Sequence, residues 1–166
     1  MKKLTIIRHA KSSWEHPGLD DLSRPLNDRG KKAIPLIGNF LLLKKNIPDL
    51  IMSSPADRAM QTAIGIGEIM GYKKEKIRIF RDIYFGDASA VLQILRNSDN
   101  KYSNLFLFGH EPILSSLIFK LTGDSLEKFP TCSAYCILFD IKMWRGLKLN
   151  SGICEFFVNP KLLGEK

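Results

Sequence analysis

Apolar positions along this chain follow two rhythms. Leu4-Thr5-Ile6-Ile7, Leu50-Ile51-Met52 and Leu105-Phe106-Leu107-Phe108 are short continuous runs, the form taken by strands buried on both faces of a parallel sheet. Between them the spacing turns helical. Asn27 caps a predicted helix reaching about Lys45, with Ala33, Ile34, Ile37, Phe40 and Leu41 on one face. Pro35 lies inside it, and its missing N–H predicts a bend or a later start. Ser54-Pro55 reads as a cap and first-turn proline for a second helix, carrying Ala56, Ala59, Met60, Ala63, Ile64 and Met70 and ending at Gly71. Ile77 to Phe80 is a short strand. Asp87 caps a helix with Val91, Leu92 and Leu95, and Pro112 opens another through Leu117 and Leu121 to Gly123. Ala134 to Asp140 and Ile153 to Val158 then read as paired strands joined through Trp144-Arg145-Gly146. The predicted architecture is a three-layer α/β/α sandwich, its central sheet largely parallel with an antiparallel edge.

Length and composition narrow the class. At 166 residues, with 45% hydrophobic and 25% charged positions, the chain fits one soluble domain covering 1–166. Its longest apolar run falls far short of the roughly 20 residues a membrane helix needs. Met1-Lys2-Lys3 is followed by a brief apolar segment and then Arg8, which is no secretory pattern, so a cytoplasmic protein with no membrane partner is expected. Cys132, Cys136 and Cys154 lack metal-ligand spacing and read as free thiols. The formal charge of +8 attracts anions. Its lysines are spread over helix flanks without interleaved aromatics, so nucleic acid is not an expected partner.

Each of the three long strand runs ends on groups suited to phosphate. The first meets Arg8-His9, the second Ser53-Ser54-Pro55-Ala56-Asp57-Arg58, the third Gly109-His110. Carboxyl ends of parallel strands converge on one crevice, so two guanidinium forks and two imidazoles are expected to meet. Such a cluster repels itself unless an anion fills it, and arginine forks match phosphoryl oxygens. His9 is the expected nucleophile, passing through a phosphohistidine, with Arg8, Arg58 and His110 on the oxygens. Rival designs are missing their parts. There is no glycine-rich Walker loop, and no cysteine is followed by arginine six positions on. The histidines travel with arginines instead of carboxylates, so neither a metal nor any other cofactor is expected. His16, Trp14 and the Asp20-Asp21 pair read as structural or surface residues.

Arg8-His9-Ala10, Ser53-Ser54-Pro55-Ala56-Asp57-Arg58-Ala59 and Gly109-His110-Glu111-Pro112 together resemble the histidine phosphatase superfamily, the phosphoglycerate-mutase-like family with its RHG motif, here with alanine in the third place. Arg8-His9-Ala10-Lys11-Ser12, Arg24-Pro25-Leu26-Asn27-Asp28-Arg29-Gly30 and the short length resemble its SixA-like branch of phosphohistidine phosphatases. The resemblance implies a phosphoglycerate-mutase-like fold, catalysis by His9 with Arg8, Arg58 and His110 binding phosphate, no metal, and a rim contact from Arg24.

Larger relatives supply a carboxylic acid for the leaving oxygen. The candidates here are Asp82, after the Ile77 to Arg81 segment, and Asp87, better explained as a helix cap. A weak acid favours P–N bonds, because an alkoxide without a proton donor loses on the order of 10²–10⁴ in rate. Only 48 residues separate His9 from Arg58 and 51 separate Arg58 from His110, leaving little chain for a lid. The expected substrate is therefore a phosphorylated protein, such as a histidine phosphotransfer domain, acted on by a monomeric enzyme. A small phosphorylated molecule, or a non-catalytic phosphate-binding role, are the alternatives.

Overall fold

The structure, a computed structural model, describes all 166 residues. Strands β1 (Lys2–Arg8), β2 (Leu50–Ser53), β3 (Arg78–Ile79), β4 (Asn104–Gly109), β5 (Ala134–Phe139) and β6 (Ile153–Val158) form one sheet in the order β3-β2-β4-β1-β5-β6. The first four run parallel, whereas β5 is antiparallel to both β1 and β6. Helices α1 (Asp28–Leu43), α2 (Asp57–Ile69), α3 (Asp82–Phe85), α4 (Ala88–Arg96) and α5 (Ile113–Thr122) supply the outer layers.

Period-two alternation divides the apolar residues between two cores. Leu4, Ile6, Leu105 and Leu107 pack with α4, α5 and fully buried Trp144. Ile7, Ile51, Phe106 and Phe108 face the other way, toward Ala33, Ile37 and Leu41 of α1 and Ala63 and Ile66 of α2. Both faces of the central strands are thus covered, which is why their sequence is continuously apolar. No helix is long and apolar enough to cross a membrane.

One helix runs straight on where a bend or later start is expected, and another begins later than expected. Asn27 Oδ1 accepts from the Gly30 amide at 2.8 Å, so α1 begins at Asp28 and continues through Pro35 with no delay. Pro35 and Lys31, whose carbonyl loses its helical donor, are both exposed, and water can take that place. Helix α2 begins at Asp57, two residues after Pro55, because the Ser54 hydroxyl accepts from the Ala56 amide and faces His110 instead of capping a helix. Asp87 caps α4 through the Ala90 amide at 2.8 Å, and Gly123 closes α5 with φ of 81°. The one-turn helix α3 has no apolar periodicity long enough to show in sequence.

The carboxyl ends of β1 and β4 lie side by side, Arg8 opposite Gly109, and Ser53 at the end of β2 lies opposite Phe108. The chain leaves β1, builds β2 and β3 beyond the future place of β4, and then returns to fill the gap. Three strand ends therefore open on one crevice.

Candidate active site

His9 follows β1 and is nine-tenths buried, with 7% of its surface exposed. Its Nδ1 lies 2.7 Å from the Ala10 carbonyl oxygen. A carbonyl only accepts, so Nδ1 carries the hydrogen and Nε2 keeps its lone pair. The Ala10 peptide is itself fastened, its N–H donating to Thr62 Oγ1 at 2.9 Å while that hydroxyl donates to the Arg58 carbonyl at 2.7 Å. Gln61, on the same helix, accepts from the Leu26 amide at 3.0 Å. One face of α2 thus carries Arg58 and anchors the segments around Ala10 and Leu26. Thr62 is fully buried. Thr62→Val keeps its shape but strands the Ala10 N–H, at a cost of about 1–3 kcal/mol. The expected result is a thermal midpoint lowered by roughly 2–10 °C together with a lower kcat; an unchanged melt would contradict it.

His110 follows β4 with its ring centroid 5.2 Å from that of His9. Its Nε2 lies 2.7 Å from Ser54 Oγ, while its buried Nδ1 has no partner. Arg8 donates from Nη1 to the Phe129 carbonyl at 3.0 Å. Arg58 donates from Nη1 to the Asp21 carbonyl at 2.7 Å and from Nη2 to Asp21 Oδ2 at 2.9 Å. The Nε atoms of both arginines are buried without partners. One polar atom on each of Arg8, Arg58 and His110 is thus buried without a partner, and two guanidinium forks beside two imidazoles suit a tetrahedral anion, which accepts from several donors at once.

Electrostatics tell the same story. Burial, assisted by Arg58, Arg8 and Arg24 against the Ala10 hydrogen bond, pushes the His9 imidazole down to about 4 from its ordinary 6.5. His110 is pushed down to about 3 by burial, then by His9 and Arg58. Burial also lowers the Arg8 guanidinium, with Glu111 opposing and Arg58 assisting. Both imidazoles are neutral at pH 7, and the cluster disfavours every added proton.

The structure therefore gathers Arg8, His9, Arg58 and His110 into one neighbourhood. Arg24 joins from the rim: its Nε donates to Asp21 Oδ1 at 3.0 Å and its Nη1 to Ser12 Oγ at 2.7 Å. Asp82, at the first position of α3, stays outside. It is exposed, has no hydrogen bond to the cluster, and lines a groove of about 800 Å³ with Leu50, Arg78, Phe80 and Gln93. The carboxylate hydrogen-bonded to Arg58 and Arg24 is Asp21, which the sequence reading places among structural or surface residues. Tyr84 donates to it, and that bond, with those from Arg58 and Arg24, holds its carboxyl well below the usual range. The signal available was the spacing of Asp21 and Arg24, three apart in a turn capped by Asp20. Tyr84 gave none. No group of three His, Cys, Asp or Glu residues is placed to hold a metal ion.

Residues 4–94, more than half of the chain, match the model of the histidine phosphatase superfamily, branch 1. The chain belongs to the histidine phosphatase superfamily. It is 31% identical over 137 residues to an uncharacterized protein of Mycobacterium tuberculosis, covering 75% of this chain and 82% of that one. An uncharacterized chloroplastic protein of Arabidopsis thaliana is 28% identical over 141 residues, 80% of this chain but 64% of its own length, so the chain spans just under two thirds of that relative. Among solved structures, the protein histidine phosphatase SixA complexed with tungstate superposes with a TM-score of 0.84 at 21% identity, covering 97% of this chain and 99% of that one. That likeness establishes a phosphoglycerate-mutase-like fold for this histidine phosphatase. Family and fold are those of phosphatases, enzymes that hydrolyse phosphoryl groups.

Proposed function

We propose that this histidine phosphatase, acting as one domain over residues 1–166, moves a phosphoryl group through a covalent phosphohistidine on His9 and prefers phosphohistidine borne by another protein. The observation that carries the reading is the His9 tautomer. With Nδ1 hydrogen-bonded to Ala10 O, the Nε2 lone pair attacks phosphorus while the bond from phosphorus to the leaving group breaks. Arg8, Arg58 and His110, grouped around His9, would hold the phosphoryl oxygens and stabilise charge as the group moves in line. Water then attacks the phosphorus, the P–N bond to His9 breaks, and inorganic phosphate and the neutral imidazole are regenerated. Tungstate, the tetrahedral oxyanion present in the SixA structure, is consistent with a pocket of this kind.

Substrate preference follows from proton supply. Asp21 is kept ionised by Tyr84, Arg58 and Arg24, so it is a poor donor to a leaving alkoxide. An imidazole departs with far less help. Access supports a protein-borne substrate: a cavity of about 800 Å³ lies along β3, lined by Leu50, Arg78, Phe80 and Asp82 and by none of the four site residues. No metal or cofactor takes part in this scheme.

A comparison of phosphoimidazole with glycerol phosphate tests the preference. The expected kcat/KM is at least about 100-fold higher for the P–N substrate, the lower bound for a missing general acid. Equal rates would assign the enzyme to small phosphate esters instead.

A further inference from the structure

Tyr84 touches two parts of the cluster at once. Its ring stands edge-on to His110, with centroids 5.3 Å apart and an angle of 89°, and its hydroxyl donates to Asp21 Oδ2 at 2.5 Å. That oxygen also accepts from Arg58 Nη2 at 2.9 Å, while the Asp21 carbonyl takes Arg58 Nη1 at 2.7 Å. Tyrosine and arginine thus share one carboxylate oxygen.

Helix α3 is a single turn, yet it is firmly seated. Ile83 is fully buried beside Gly109, where an added Cβ would lie 3.0 Å from Ile83 Cγ2, and just before the helix the Phe80 amide donates to the Ser53 carbonyl at 3.0 Å. The ends of β2 and β4 therefore fix where Tyr84 stands.

Asp21 needs such a partner. Its side chain is 46% exposed, and an ion pair so open to water holds its geometry only weakly. Arg24 Nε takes the other oxygen at 3.0 Å, but Arg24 lies three residues along the same turn and moves with it. Tyr84, 63 positions away, ties the carboxylate to a separate element, so the oxygen used by Arg58 keeps its place when the turn moves. A neutral phenol supplies this hold without adding another cation beside Arg8, Arg24 and Arg58.

We infer that Tyr84 is a positioning residue for phosphoryl transfer: its hydroxyl fixes the Asp21 carboxylate, and through that carboxylate the guanidinium of Arg58. This rests on the function proposed above, in which Arg58 holds phosphoryl oxygens. Tyr84 itself takes no part in making or breaking bonds.

Tyr84→Phe keeps the ring against His110 and removes only the hydroxyl. On phosphoimidazole, kcat should fall about fivefold with KM little changed, because the contact it steadies matters most as charge develops on the oxygens. The decisive measurement is the same substitution made in an Asp21→Ala protein. There it should cost nothing further, since the residue it acts through is gone. A second fivefold loss in that background overturns the inference, as does a raised KM with kcat unchanged, which would make Tyr84 a binding group. Full activity in Tyr84→Phe, with wild-type His9 taking a phosphoryl label, overturns it too and leaves the proposed function intact. A wild-type protein that neither hydrolyses phosphoimidazole nor takes label removes the functional reading itself.

Discussion

Replacing His9 with alanine is expected to abolish both incorporation of a labelled phosphoryl group and its hydrolysis, a loss of at least about 10⁴-fold, since neighbouring residues cannot substitute for the attacking nitrogen. The fold should survive, because the side chain's only hydrogen bond is to the adjacent Ala10 carbonyl. Label on the wild-type protein should be acid-labile and base-stable, as a phosphoramidate is. The imidazole is active when neutral, and its titration lies near 4, not 6.5. Activity, corrected for ionisation of the substrate, should therefore hold steady as pH falls through 6.5 and decline only as it approaches 4. Stability shifts in the same direction. A histidine whose folded value is depressed contributes fully above its unfolded value, and that contribution drains away between 6.5 and about 4. An acid limb centred at 6.5, or a His9→Ala enzyme that still accumulates label, would remove His9 from its assigned role.

Arg58→Ala is expected to cost about 10³-fold in kcat/KM, mostly in kcat. Arg58 is 5% exposed at the start of α2, where the helix end adds its own preference for an anion. Transition-state charge on the phosphoryl oxygens thus loses a desolvated donor, the kind of contact worth the most in catalysis. The same change releases Asp21 from two hydrogen bonds. Asp21→Asn separates the two consequences, because the amide can still accept from Arg58 and Tyr84 while its negative charge is gone; a loss nearer tenfold is expected. Steady-state kinetics of both variants on phosphoimidazole provide the check. An Arg58→Ala enzyme within tenfold of wild type would leave Arg8 as sufficient and contradict the two-fork grip.

Much of this is legible in the sequence. Continuous apolar runs marked β1, β2 and β4 because strands covered on both faces cannot alternate, and each run ended on the residues that meet in the crevice. Turn chemistry placed the starts of α1 and α4 and the end of α5, where Asn27, Asp87 and Gly123 act through their own backbone neighbourhoods. The second helix was misplaced by two residues for a tertiary reason: Ser54 is engaged by His110, 56 positions away. Asp21 was missed for a similar reason. Its partners Arg58 and Tyr84 are 37 and 63 positions distant, and a carboxylate in a polar loop has no periodicity to betray it. Asp82 drew attention through its place after a strand, but β3 is two residues long and the chain turns at once into α3, leaving that carboxylate exposed on the outer groove. Proximity to a strand end identifies a site residue only when the strand is long enough to deliver it.

The Cys132 amide, in a left-handed backbone with φ of 60°, donates to the carbonyl oxygens of both Arg8 and His9 at 3.1 and 3.0 Å. Such a conformation is disfavoured for a residue with a side chain, so lengthening or shortening the segment before β5 would carry the nucleophile with it. The stretch from Trp14 to Asp20 and the turn of α3 bear no comparable backbone tie to β1. Any redesign of substrate choice should be grafted there, on exchangeable walls around an immovable hearth.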